Sequence, residues 1–275
     1  MKRIETLRAL RVSIYAIPIA SMRGTNRIAD DPIACVSVRQ IVSPTRASEL
    51  TRAQETLEIV LKIMNQEQVT KHRSWRLNER MYGGLTALDK KATVEKYGTD
   101  QVQLWRRSYD IPPPPVDESS EYFPGNDNRY AHLPDADIPR SECLKDCVER
   151  TVPYWEQEIV PALMRGKTVL VAAHGNSIRG ILKHIDGISD EDITGLEIPT
   201  GIPLVYQLDD DLKPIKSDRA TGVLSGHFLA NQEALAELHA SSADGGQGTG
   251  ADADAGARLA SRSLQPQPQP YPQPP

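Results

Sequence analysis

Cysteine is sparse in this chain, with only Cys35, Cys143 and Cys147 among 275 residues. So thin and odd a set argues against a disulfide scaffold and points to a reducing compartment. Cys143 and Cys147 stand four apart on a predicted helix and share a face. Two ligands do not make a zinc site, so packing is their expected role. Apolar runs of membrane-spanning length are missing as well. An excess of positive charge is also missing. The net charge of −5 gives no general basic field for nucleic acid, so an anion site must be a local gathering of Arg and Lys.

What the chain does have is the composition of a soluble globular protein, 39% apolar and 25% charged, with one main domain expected. Its most informative stretch is TVLVAAHGNSIRG, Thr168 to Gly180. Val169 to Ala173 is an unbroken apolar run suited to a strand buried on both faces of a parallel sheet. His174 and Gly175 break it. Asn176 and Ser177 are good N-cap residues, and Ile178, Ile181, Leu182 and Ile185 recur at helical spacing, so a helix is predicted to begin there. In an open α/β sheet this strand end is where ligands bind, and the start of a helix favours an anion. The alternative is an ordinary strand-to-helix turn that happens to carry a histidine.

Elsewhere the pattern is coarser. The basic residues of Met1 to Arg46 suit a weak organellar transit peptide, but Val12 to Ala20 and Ile33 to Val42 read better as strands. Leu50, Ala53, Leu57, Val60, Leu61 and Met64 predict a helix of about five turns starting near Ala47, with Ser43 or Ser48 at its start. Leu88–Tyr97 and Asp100–Arg107 read as helices parted at Gly98, and Asp117–Arg140 as a long loop. Glu142–Met164 reads as a helix bent or divided by Pro153 and Pro161. A short helix over Ser189–Leu196, a final strand over Pro203–Leu208 and a terminal helix over Phe228–His239 follow. Beyond Ser241 the Gly, Ala, Asp and Gln-Pro composition predicts a disordered tail.

Arg52, Glu79, Lys90, Arg106, Arg107 and His174 ask for a common explanation. Guanidinium groups match the paired oxygens of phosphate and carboxylate, and a converging set would hold a small, highly charged anion. Each alone has a plainer reading, Arg106 and Arg107 as a solvated helix end and Glu79 with Arg80 as a surface ion pair.

The runs RSWRLNERMYGGLTALDK, WRRSYDIPPPP, AAHGNSIRG and IPTGIPLVYQL, in that order and with similar gaps, resemble the cofactor-dependent phosphoglycerate mutases of the histidine phosphatase superfamily. The likeness covers about Ser48 to Phe228. It implies a three-layer α/β/α fold around a mostly parallel sheet, usually assembled as homodimers or homotetramers, in a cytoplasmic protein. It also implies interconversion of 3-phosphoglycerate and 2-phosphoglycerate, primed by 2,3-bisphosphoglycerate, with no metal, no nucleic acid and no membrane. By this resemblance Arg52 contacts the transferring phosphate, Glu79 moves the substrate hydroxyl proton, and His174 stabilises charge on the phosphoryl group. Arg80, Met81, Tyr82, Lys90, Arg106 and Arg107 clamp substrate, with Gly175 and Asn176 making contacts beside His174.

The resemblance also implies a nucleophilic histidine in an Arg-His-Gly-Glu motif on the first strand. This chain has none, and its first histidine is His72. The chain therefore divides into a non-matching segment, 1–46, standing in place of the first strand and phosphate loop, a mutase-like domain, 47–240, and the tail, 241–275. Three explanations stay open. The first segment stems from a wrong start, exon choice or frame and the true product is an ordinary mutase; the chain is a pseudoenzyme or scaffold that keeps the anion clamp; or His174 serves as a substitute nucleophile for slow phosphatase chemistry.

Overall fold

The computed structural model describes residues 10–16 and 42–230. The remainder of the 1–46 segment, including Cys35 and most of Ile33–Val42, lies outside the described residues, as does nearly all of the expected terminal helix and the whole tail.

Six strands form one sheet in the order β3-β2-β4-β1-β5-β6. They are β1 Leu10–Ala16, β2 Val42–Ser48, β3 Lys71–Ser74, β4 Thr168–Ala173, β5 Pro203–Leu208 and β6 His227–Phe228. Strands β1 to β4 run parallel, whereas β5 pairs antiparallel with both β1 and β6. The segment set apart in the sequence thus supplies a central strand of its own, and the division at residue 46 falls inside β2. Pro203–Leu208 is not the last strand, because Phe228, assigned to a helix from its sequence, pairs instead with Leu204.

The α/β layering follows from alternation along β4, where successive side chains point to opposite faces. Leu170 and Ala172, with Ala47, pack under α1 (Thr51–Ile63), which buries Ala53, Leu57, Val60 and Leu61. Val169, Val171 and Ala173 face the other way. There they meet α4 (Leu144–Tyr154), a π turn at Trp155–Ile159, α5 (Val160–Met164) and α6 (Gly175–Asp186) in the larger core. Helices thus cover both faces of a mostly parallel sheet, as expected. Before α4 come α2 (Lys90–Tyr97) and α3 (Thr99–Arg107), parted at Gly98, and after α6 comes α7 (Asp190–Gly195).

Two departures from the sequence reading have identifiable causes. α1 is shorter than five turns because Ala47 and Ser48 are paired in β2, opposite Arg73 and Ser74 of β3. The long helix breaks into three pieces because Pro153 and Pro161 each lack the amide that an α-helix needs at those positions, and the π turn sits between them. Cys143 and Cys147 are buried, and burial pushes the Cys143 thiol up to about 11, so both serve packing rather than reactivity. No helix among the described residues is long and apolar enough to cross a membrane.

Candidate functional site

The parallel strands end together at Ser48, Ser74 and Ala173, with Ala16 of β1 in register beside Ala173. His174 is the first residue past β4 and caps α6. The cap differs from the sequence expectation, since Asn176 and Ser177 lie in the first turn rather than at the cap. Ser177 reaches back. Its Oγ accepts the His174 backbone N–H at 3.1 Å and donates to the Leu77 carbonyl at 3.0 Å, locking the histidine to the loop after β3.

The imidazole is 2% exposed, and its Nε2 lies 2.9 Å from the Ser48 Oγ. The protons on this contact can be assigned. Asn78 Oδ1 accepts the backbone N–H of Glu49 at 2.9 Å, so it is the amide oxygen, and the Ser48 hydroxyl donates to it at 2.7 Å. With its one proton committed, Ser48 accepts from His174, whose proton therefore sits on Nε2. Asn78 passes the chain on, donating from Nδ2 to the Tyr130 hydroxyl at 2.8 Å. Burial first, then the positive charges of Arg52 and Arg150, hold the His174 pKa well below its usual value. The imidazole is neutral at physiological pH, and Arg52, second residue of α1, is near enough for its charge to act there.

The loop after β3 carries Asn78, Glu79, Arg80, Met81 and Tyr82, and it is held from behind by a buried ion pair. Arg150 of α4 bonds Glu142 through Nε at 2.6 Å. Its terminal nitrogens donate to the carbonyls of Trp75, Arg76, Asn78 and Glu79. Glu142 in turn brackets Met81, accepting its N–H and donating to its carbonyl, each at 2.8 Å. Burial opposes the charge on Arg150, but the Glu142 carboxylate outweighs this and holds its pKa above the usual value.

In front of that support the charged side chains converge. Glu79 Oε1 accepts the Arg80 N–H and the Asn176 Nδ2, both at 2.7 Å, while Oε2 makes no hydrogen bond among the described residues. Asn176 also donates to the Tyr82 hydroxyl at 3.2 Å. Arg80 is 4% exposed, lies over the Tyr82 ring at 4.5 Å and donates to the carbonyls of Trp105 and Arg106, pinning the end of α3 to the site. Its Nε is buried with no hydrogen-bond partner among the described residues. Arg179 of α6 bonds Asn176 Oδ1 at 3.2 Å and the Leu196 carbonyl at 2.7 Å. Next to that carbonyl, Glu197 accepts from Arg107 at 2.9 Å.

Arg52, Glu79, Arg80, Tyr82, His174, Gly175 and Asn176 thus come together, and Arg107 joins them through Glu197 and Arg179. Beyond its chain neighbours and its own helix backbone, a Cβ at Gly175 would meet no heavy atom of the described residues within 4 Å, so among these residues the start of α6 borders open space. Met81 takes part through its backbone. Arg106 contributes the carbonyl that Arg80 grips. The side chain of Lys90, first residue of α2, lies outside the described residues. Sequence reasoning did not give Asn78, Arg179 or the Glu142–Arg150 pair a role at the site, although Asn78 and Arg179 stand inside the motifs that carry the likeness.

The model of the "Histidine phosphatase superfamily (branch 1)" matches residues 33–125 and 117–216. Among solved structures, "Mycobacterial hydrolase 1" superposes with a TM-score of 0.51 at 14% identity, covering 75% of this chain and 94% of that one. A mycobacterial glucosyl-3-phosphoglycerate phosphatase gives 0.47 at 14% identity, covering 80% and 95%. The phosphoglycerate mutase of Bacillus anthracis gives 0.46 at 19% identity, covering 74% and 90%. With the family model matching most of its length, this chain belongs to branch 1 of the histidine phosphatase superfamily.

Proposed function

We propose that the pocket at the ends of β2, β3 and β4 binds 2- and 3-phosphoglycerate, and that the chain is a phosphoglycerate mutase whose phosphoryl-transfer step is crippled. The observation that carries the reading is one connected set of contacts. It runs from His174 through Ser48 and Asn78 to the loop bearing Glu79, and from Glu79 through Asn176 to Arg179. A doubly charged sugar-acid fragment needs cations at both ends and a proton-moving group between them. Arg52 and neutral His174 would take the phosphoryl end. The Nε2–H now given to Ser48 is the donor available to a phosphoryl oxygen. Glu79, with Oε1 saturated, would exchange the proton of the substrate hydroxyl at Oε2. Arg80, Arg107 and Arg179 would hold the carboxylate end.

2,3-Bisphosphoglycerate fits this guanidinium set by charge, and Arg80 Nε is a buried donor still to be satisfied. When bound it is a phosphoryl donor, but the residues present do not fit an acceptor. The sequence after Ala16 reads Ile17-Pro18-Ile19, and no histidine precedes His72. No transfer step is therefore derived through it. His174 is a poor substitute, because one imidazole cannot attack the phosphorus and also stabilise its charge.

The test has two arms on the purified chain. Titration calorimetry with 3-phosphoglycerate is expected to show binding that Arg52→Ala weakens at least tenfold. An enolase-coupled assay is expected to show turnover at least a thousandfold below the ordinary range of about 1–1000 per second. Normal turnover, or no binding at millimolar ligand, defeats the reading.

A further inference from the structure

Arg107 does not point at an empty clamp. Its NH1 donates to the Glu197 carboxylate at 2.9 Å, with the two side chains 59% and 47% exposed. Glu197 follows the residue whose carbonyl Arg179 grips, and the charges of Glu197, Tyr82, Glu79 and Arg107 all act on Arg179. One carboxylate of the chain therefore stands among the cations that the binding reading assigns to the carboxylate end of the ligand. We infer that Glu197 is a built-in competing carboxylate: it occupies Arg107 until an acid ligand displaces it, and so weakens and tunes the clamp for that end of the ligand. The inference rests on the phosphoglycerate-binding reading.

The chemistry is an exchange of one carboxylate for another on a guanidinium. The ligand loses what Arg107 gains from Glu197 and meets a like charge nearby until Glu197 withdraws. Because the pair is exposed, the effect is modest and screened by salt. A group at the phosphoryl end, served by Arg52 and His174, does not enter the exchange.

Glu197→Gln keeps the shape and removes the charge, and at half exposure it leaves the core untouched. Calorimetry at low salt is expected to show 3-phosphoglycerate binding about two- to tenfold tighter in E197Q than in the parent chain. Inorganic phosphate, which has no carboxylate, shifts by less than twofold. The gain disappears in the double variant Arg107→Met with Glu197→Gln and shrinks at 0.5 M salt. If the parent binds 3-phosphoglycerate and E197Q binds it no tighter, or if phosphate tightens equally, the inference falls while the binding reading stands. If neither protein binds 3-phosphoglycerate at millimolar concentration, both fall together.

Discussion

Arg150 is buried against Glu142, and its remaining donors go to four carbonyls of the loop that bears Glu79 and Arg80. Removing the guanidinium leaves a buried carboxylate without its counter-ion and takes a donor from four carbonyls, of which those of Trp75 and Arg76 keep another. Arg150→Met should lower the unfolding free energy by about 3–5 kcal/mol in urea titration. Adding Glu142→Leu should recover part of that loss, since the stranded charge goes with it; no recovery would assign the cost to the carbonyls instead. His174 makes a second prediction. Its pKa is depressed in the folded chain, so above the usual 6.5 both states are neutral and nothing is lost. Below 6.5 the unfolded chain takes up a proton that the folded chain refuses. Stability should then fall by up to about 1.4 kcal/mol per pH unit as the pH drops towards the folded pKa. His174→Gln should remove that component of the slope.

At the scale of elements, the turn Gly83-Gly84 fixes the loop's exit. Gly83 has φ of +58°, and a Cβ there would come 2.1 Å from the Pro114 carbonyl oxygen, while the Gly84 N–H donates to the same oxygen at 2.7 Å. Gly83→Ala should therefore cost about 1–3 kcal/mol and loosen Tyr82, which a urea titration and the near-ultraviolet dichroism of the tyrosines would register. The glycine pair is plain in the run RSWRLNERMYGGLTALDK, but its partner is not, because 31 residues separate Gly83 from Pro114. The same distinction runs through the chain. The helical stripe of α1 and the apolar run of β4 announced themselves by period, and the prolines of the broken helix by their missing amides. The register of Ala47 against Ala172, which shortens α1, and the pairing of two-residue β6 are long-range choices with no local pattern to betray them. At the site, motif residues such as Glu79 and His174 could be placed by resemblance. The Glu142–Arg150 support could not, since an acid and a base eight residues apart look like any exposed helix pair.

For the whole molecule, the strand order puts β1 at the middle of the sheet, parallel to β4 and antiparallel to β5. The strand fills that place by pairing with both neighbours, and it does so with LRVSIYA, a sequence that leads into no imidazole. Fold and binding can then persist where transfer chemistry does not. Ligand should still stabilise the chain globally: at a hundredfold excess over its Kd, 3-phosphoglycerate should add about 2.7 kcal/mol to the unfolding free energy. Thermal shift measurement checks this without any turnover, and no shift at saturating ligand would contradict it.

β4 lends alternate side chains to two separate apolar layers and hands the chain directly to His174. A packing defect in either layer, a cavity under α1 or one beneath α6, pulls on the same short ribbon and is delivered to one imidazole. That ring is a common gauge for both halves of the interior, and its NMR signal should register lesions made on opposite sides of the sheet.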